Sequence, residues 1–500
     1  MVTLDQVNKS LLSAPSKPPS SRSRRASSYN PLRSFDLPKV RSYQQQYGDM
    51  YFLRLSKIKP QVEEIAREAW EGNVIAGETV KKVERVLDVR QGELCWVTGT
   101  VYMDMALKPN VLEDVSKDRW IGGLPSTQKY YSEDGSDQIM LEDESGRIRL
   151  VGKALNSVLL VTGCIISVMG TETANGELDV IDIKFPDLPP QPERWALGKP
   201  PVESDDESSD DMFHGSPKQT SKIVVVSGLS FSGNNASSAM ELNLLLEFLL
   251  GENVHPGLQP SLAAISRLII VGNSIASDEP KEKAAQDKDR KPAGKKYGYD
   301  SSTYNPVPSQ LFDQFLSDLL PSMPITLIPG PKDPANVSYP QQPIHTAMFP
   351  LSREYAAEPG KEGVRDGWFD TVTNPWEGEI NGWRVLCTGG QNVDDVFKYV
   401  GSDDRLGMME AMCRWRCIAP TAPDTLFSYP FQETDPFVLK DCPHLFFVGC
   451  QPSFSTRVIE GEDGQAVQLV TIPLFTETHE ICLVDMETLE VTKIKINVQS

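Results

Sequence analysis

Histidine is scarce in this 500-residue chain, which has only His214, His255, His345, His444 and His479. A two-metal hydrolase gathers several His, Asp and Asn ligands around ions about 3.5–4 Å apart, so the supply is thin for that chemistry. Cysteine is sparse too. The eight, Cys95, Cys164, Cys387, Cys413, Cys417, Cys442, Cys450 and Cys482, include no CxxC pair. That pattern predicts reduced, buried thiols of the cytosol or nucleus, not a disulfide framework. Cys413 and Cys417 share a helical i,i+4 spacing, but without a second pair they read as small core residues. No apolar run approaches the ~18 residues of a membrane span. The polar N-terminus has no signal-peptide core, so no membrane contact is expected. Positive charge is short as well: 49 Lys plus Arg stand against 69 Asp plus Glu, a net charge of −20. Autonomous nucleic-acid binders usually carry a basic face, so DNA contact is expected to be weak or indirect.

What is present divides the chain into segments. Residues 1–46 are rich in Ser, Pro and Arg and are expected to be a disordered basic tail. Within it, Arg22-Ser-Arg24-Arg25-Ala-Ser27 reads as a weak nuclear-import cluster, a site for a basic-directed kinase, or a solvated tail. Residues 47–90 form a helical region: Leu53, Leu55, Ile58, Val62, Ile65, Ala66 and Ala69 mark an amphipathic helix despite Pro60. Residues 91–187 read as five strands: Glu93–Met103, Asp137–Leu141, Arg147–Val151, Ser157–Val168 and Leu178–Phe185. Their number and spacing suit a small Greek-key barrel of the OB type, with a β-sandwich fragment as the alternative. Single-strand binding by such a barrel needs a basic groove with stacking aromatics. Here 8 Lys or Arg face 16 Asp or Glu between residues 91 and 187, which argues against it.

Residues 188–221 are an acidic linker expected to be disordered. It sets Ser204, Ser208 and Ser209 among six acids, a solvated run or an acidophilic phosphorylation site. From residue 222 to 500 the pattern alternates strands and helices. Ser238 and Glu241 predict a capping box, and Gly251 a helix stop. Residues 278–300 are a charged insert expected to be disordered. Four short apolar strands each end in a loop: Gly228-Leu-Ser230, Gly272-Asn273, Gly330-Pro331-Lys332-Asp333 and Gly449-Cys450. Loops at the carboxyl ends of parallel strands are where α/β folds place their sites. Strands dominate the C-terminus with short connections, which predicts two packed sheets flanked by helices.

These loops, in this order, resemble those of calcineurin-like metallophosphoesterases, whose Asp-x-His, Gly-Asp, Gly-Asn-His and Gly-His-x-His motifs hold two metals. The glycines remain here, while Asp333 and Asn273 are the only metal-competent side chains left and Lys332 stands where an imidazole belongs. Leu141–Leu150, Val224–Leu229, Pro329–Pro334, Tyr339–Pro350, Thr388–Val393 and Ile418–Leu426 narrow the resemblance. They are similar to the B-subunits of eukaryotic replicative DNA polymerases, and within that family to the delta branch. The resemblance implies a mixed α and β protein. An N-terminal OB-fold barrel would join a calcineurin-like two-sheet sandwich flanked by helices. It also implies a nuclear accessory subunit without catalytic residues, metal or cofactor. Its partners would be the cysteine-rich C-terminal region of the polymerase catalytic subunit and a third, clamp-binding subunit. A B-subunit of another replicative polymerase, or a working metal-dependent phosphoesterase, is the competing reading.

A partner surface is expected over Pro420–Pro436, where prolines limit the entropy lost on docking. Phe427, Tyr429, Phe431 and the adjacent Phe437 would supply contact area. The equal alternative is that these rings fill the seam between sheet and helix. The stretch from Trp120 to Tyr131 is the rival docking surface.

Overall fold

The computed structural model describes residues 24–42, 47–75, 77–109, 129–200, 221–233, 238–252, 254–276, 305–356 and 367–497. Trp120, His214, the serines Ser204, Ser208 and Ser209, and the 278–300 insert lie outside the described residues.

The chain opens with β1 (Tyr29–Pro31) and helix α1 (Gly48–Trp70). Leu55, Ile58, Val62 and Ala66 recur at spacings of three and four and are all buried. Pro60 lies on the exposed face, where its ring meets solvent and the missing N–H leaves the buried stripe intact. Short strands β2 (Val74–Ile75), β3 (Glu78–Thr79) and β4 (Lys81–Lys82) lead into β5 (Leu94–Asp104), β6 (Gln138–Glu142), β7 (Arg147–Val151), β8 (Ile165–Glu172) and β9 (Glu177–Lys184). β5 pairs with both β6 and β8, and β7 runs parallel to β9, so the ring β5-β6-β7-β9-β8 closes. The result is a five-stranded barrel without free edges among those strands. The strand expected from Ser157 begins only at Ile165, because Gly163, at φ 94°, turns the chain first. A Cβ there would stand 1.9 Å from the Pro420 carbonyl oxygen, so the turn abuts the C-terminal half.

That half comprises β10 (Lys222–Val226), α2 (Ala239–Leu250), α3 (Gln259–Ala263), β11 (Ile265–Val271), α4 (Val307–Leu319) and β12 (Ile325–Ile328). Next come β13 (Phe369–Thr371), β14 (Trp376–Ile380), β15 (Trp383–Thr388), α5 (Gln391–Tyr399) and α6 (Arg405–Arg414). It ends with β16 (Leu445–Gln451), β17 (Ser455–Glu460), β18 (Ala466–Pro473), α7 (Phe475–Thr478), β19 (Glu480–Asp485) and β20 (Val491–Lys495). Two six-stranded mixed sheets result, ordered β13-β12-β11-β10-β19-β20 and β1-β14-β15-β16-β18-β17. Side chains alternate between the faces of each strand. Ile223 and Val225 of β10 meet Leu445 and Phe447 of β16 between the sheets. Val224 and Val226 turn outward to Leu245 of α2 and Phe312 of α4. On the other sheet, Phe446 and Val448 turn outward to Met408 and Met412 of α6 and share one core with the barrel residues Val97, Val101 and Ile166.

Several expectations need correction. Residues 24–42 do not behave as a disordered tail. β1 pairs antiparallel with β14 at the sheet edge, and Phe35 is 3% exposed. An edge strand offers unpaired N–H and C=O groups that even a polar segment can satisfy. Residues 188–200 of the linker are likewise packed: Arg194 pairs with Glu487, and Gln191 donates to the carbonyls of Pro443 and Ala466. The capping box does not form, since Ser238 makes no side-chain cap bond, whereas Gly251 ends α2 at φ 78° as expected.

Candidate functional site

The parallel strands β10, β11, β12, β15 and β16 all deliver their carboxyl-terminal loops to one crown. Backbone bonds stitch the loops together. Gly228 N donates to Gly272 O, Gly272 N to Ile328 O, and Ser230 N to Asn273 O, each at 2.9 Å. Cys450 N donates to the Ser227 hydroxyl at 2.8 Å. Ser230, Asn273 and Cys450 all hold positive φ, at 44°, 52° and 54°, a conformation uncommon outside glycine.

The glycines touch one another directly. A Cβ on Gly272 would lie 3.0 Å from Cys450 Sγ and 3.2 Å from the Gly330 Cα, and one on Gly330 would lie 2.4 Å from Asn273 N. The loops therefore pack backbone on backbone at the crown's centre.

The metal-competent side chains are turned to the loops. Asp333 is 6% exposed. One carboxylate oxygen accepts from Ile275 N and the other from Gly330 N, both at 2.8 Å. Burial pushes its pKa up to about 6, against the pull of those amides. Asn273 Oδ1 accepts from Lys332 N at 2.9 Å. Pro331 and the Lys332 side chain are exposed. The Cys450 thiol is pushed up to about 12 by burial. A pair of divalent ions would require these oxygens to leave their amides and the glycines to part, so the residues present do not fit such a pair. Among the described residues, no three His, Cys, Asp or Glu side chains are grouped to hold a metal. The described histidines are engaged elsewhere. His444, for example, accepts from Arg384 N, and burial beside the Arg384 charge lowers its pKa to about 4.

An amide cluster that sequence reasoning missed seals the crown. Gln341 Oε1 accepts from Asn374 Nδ2 at 2.9 Å and from Gln391 Nε2 at 2.7 Å. Asn374 Oδ1 accepts from Gly389 N, and Gln341 Nε2 donates to Gly330 O. Beside it, Arg405 pairs with Asp394 at 2.7 Å. These residues are remote in sequence: Gln341 lies in the stretch Tyr339–Pro350 and Gln391 in Thr388–Val393, but residue order gives no sign that they meet.

The expected partner surface is mostly interior. Phe437 is fully buried, Tyr429 is 5% exposed, and Phe431 is partly buried. Phe437 stacks between Phe35 and Tyr339, at 6.5 and 5.5 Å, and meets Phe431 edge-on at 5.9 Å. Tyr429 and Phe437 are therefore packed inside this chain. Phe427 remains 53% exposed, beside Val337 at 79%, where its carbonyl accepts from Tyr339 N. On the barrel side, Tyr130 is buried and Tyr131 is partly exposed. No helix among the described residues is long and apolar enough to cross a membrane.

Two family models match the chain. The one described as "DNA polymerase delta subunit OB-fold domain" covers residues 46–183, and the one for the B-subunit of DNA polymerases alpha and epsilon covers residues 223–456. The chain is 35% identical to the "DNA polymerase delta small subunit" of Saccharomyces cerevisiae, over 94% of this chain and 93% of the relative. It is 33% identical to the protein of that name in Arabidopsis thaliana, over 95% and 97% of the two chains. Identity is also 33% to the "DNA polymerase delta subunit 2" of Drosophila melanogaster, over 94% and 98%.

Proposed function

Because this chain belongs to the DNA polymerase delta small-subunit family, we propose that it is a non-catalytic scaffold subunit of polymerase delta. It acts in the nucleus, in DNA replication and repair. It joins the cysteine-rich C-terminal region of the catalytic subunit to a third, clamp-binding subunit. Its sandwich is a calcineurin-like phosphoesterase fold whose site has closed. The observation that carries this reading is the crown: Asp333 and Asn273 spend their oxygens on loop amides, and glycine backbones meet where ions would sit. A fold alone does not confer chemistry; the side chains at its site do.

Phe427 is the aromatic of the 420–436 segment left free to contact a partner. Co-expression with the catalytic subunit's C-terminal region tests both statements. Affinity capture should recover the two together. Phe427→Ala should weaken recovery while the scaffold's own melting temperature holds, because an exposed ring contributes little to its fold. Absence of co-purification would defeat the scaffold reading. Stoichiometric bound manganese, with phosphodiester turnover lost on Asp333→Ala, would defeat the non-catalytic one.

A further inference from the structure

The docked segment 24–42 carries a second site. Arg24-Arg25-Ala26-Ser27 has two arginines and a spacer before a serine, the arrangement a basic-directed protein kinase reads through its acidic groove. The same segment crosses a cleft of about 350 Å³ lined by Arg24, Arg25, Ser27, Tyr29, Arg267 and Ser322.

Arg267 lies at the bottom of that cleft and is 2% exposed. Its Nε donates to the Ser27 hydroxyl at 3.3 Å, and one terminal nitrogen donates to the Thr326 hydroxyl at 2.9 Å. Its guanidinium carbon lies over the Tyr29 ring, 3.9 Å from the centroid. All these contacts are neutral. The nearby acid, Asp370, accepts from the Tyr29 hydroxyl at 2.7 Å and pairs with Arg33 at 3.8 Å. Burial lowers the Arg267 pKa to about 10, with Asp370 offsetting only part of that cost. A buried cation held by neutral partners is a receptor for an anion. The atom nearest at hand to carry one is Ser27 Oγ.

We propose that Ser27 is a phosphorylation site whose phosphate is received by Arg267, fastening the N-terminal segment to the sandwich. In the transfer, Ser27 Oγ bonds to the γ-phosphorus of a nucleoside triphosphate while the bond from that phosphorus to the β,γ-bridging oxygen breaks. The nucleoside diphosphate leaves, and the hydroxyl proton passes to the kinase's base. The docked segment conceals the motif, since Arg24 donates to the carbonyls of Leu249 and Leu262, at the ends of α2 and α3, and of Ile265, at the start of β11. The kinase therefore acts on the undocked segment. The phosphate then gives the returning segment charge-assisted bonds to Arg267, stronger than the single hydroxyl contact. Asp370 opposes the added charge, and the Arg33 pair moderates that repulsion.

The test uses the full chain, treated with a basic-directed protein kinase and magnesium ATP. Mass spectrometry should place phosphate on Ser27, and Ser27→Ala should abolish it. Amide exchange at β1 and its partner β14 should then slow by about tenfold in the phosphorylated protein, as expected for one or two new charge-assisted bonds. Arg267→Lys, which keeps a charge but not the fork, should lose most of that slowing. The wild-type comparison stands alone if that variant folds poorly. Absence of phosphate on Ser27, or unchanged or faster exchange at β1 once phosphate is present, would overturn the proposal.

Discussion

The crown and the junction between barrel and sandwich are both buried, yet they are held by opposite means. At the crown, five glycine-bearing loops meet largely backbone on backbone. At the junction, one apolar core runs from the barrel to the outer face of the second sheet, crossed by ion pairs such as Lys108 with Asp424 and, most deeply buried, Arg54 with Asp435. Arg54 of α1 bonds Asp435 at 2.8 Å and the Pro420 carbonyl at 2.8 Å, with both charged side chains nearly inaccessible. The crown is held by backbone and amide bonds between its loops, whereas a buried charged pair within an apolar core holds the junction. The crown thus keeps its shape through backbone bonds, while the domain contact draws on a partnered charge.

Removing the charge should have the largest effect. Arg54→Ala leaves Asp435 buried without its cation, and a loss of about 3–5 kcal/mol is expected by urea denaturation. Arg54→Leu combined with Asp435→Leu should recover much of that loss. If the double variant is as unstable as the sum of its single changes, the pair is not what pins the junction.

Adding one carbon to the crown comes next. Gly330→Ala drives a Cβ to 2.4 Å from Asn273 N, and overpacking of this kind costs about 1–3 kcal/mol. A neutral result would mean the loops can part, weakening the view of a closed crown.

Acid sharpens the contrast with opposite signs in overlapping windows. Asp333 has a folded pKa of about 6, above its ordinary value of 3.8. Its contribution is therefore fullest below that lower value and is lost as pH rises through 6. His444, away from the crown, has a folded pKa of about 4, below its ordinary value of 6.5. The native state holds it neutral, so its contribution is present above 6.5 and lost as pH falls toward 4. Melting temperatures from pH 7 to 4 should therefore fall less steeply for His444→Gln than for the wild type. For Asp333→Asn they should fall more steeply. Equal slopes in all three proteins would refute both assignments.

Lys332→Ala should have the smallest effect, within about 0.5 kcal/mol, because its side chain is exposed and only its backbone N–H serves the crown. A larger change in a denaturation midpoint would mean the ammonium does hold Asp333.

The strand-and-loop framework was legible from residue order. Ile223–Val226, Leu268–Val271, Ile325–Ile328 and Leu445–Val448 are continuous apolar runs, which strands covered on both faces require. The glycines that follow mark where they end. The barrel was readable from five strands and their turns. Short or polar strands such as β1, β14 and β17 were not, because their signal is too short or too polar to stand out without the partner strand. The inward packing of Tyr429 and Phe437 was hidden for a related reason. Proline and aromatic spacing describes a stiff, sticky segment but does not say which side faces in.

The sequence by itself thus determined the elements whose signal is local: the apolar period of the strands and the glycines at the turns that follow them. The tertiary structure alone decided what depends on distant pairs. It brought Gln341, Asn374 and Gln391 into one amide cluster, set Arg54 against Asp435 across 381 positions, and laid a polar N-terminal segment along a free sheet edge. Each of those arrangements satisfies buried donors and acceptors that no single stretch could satisfy alone, and composition carries no record of where the complementary group will be.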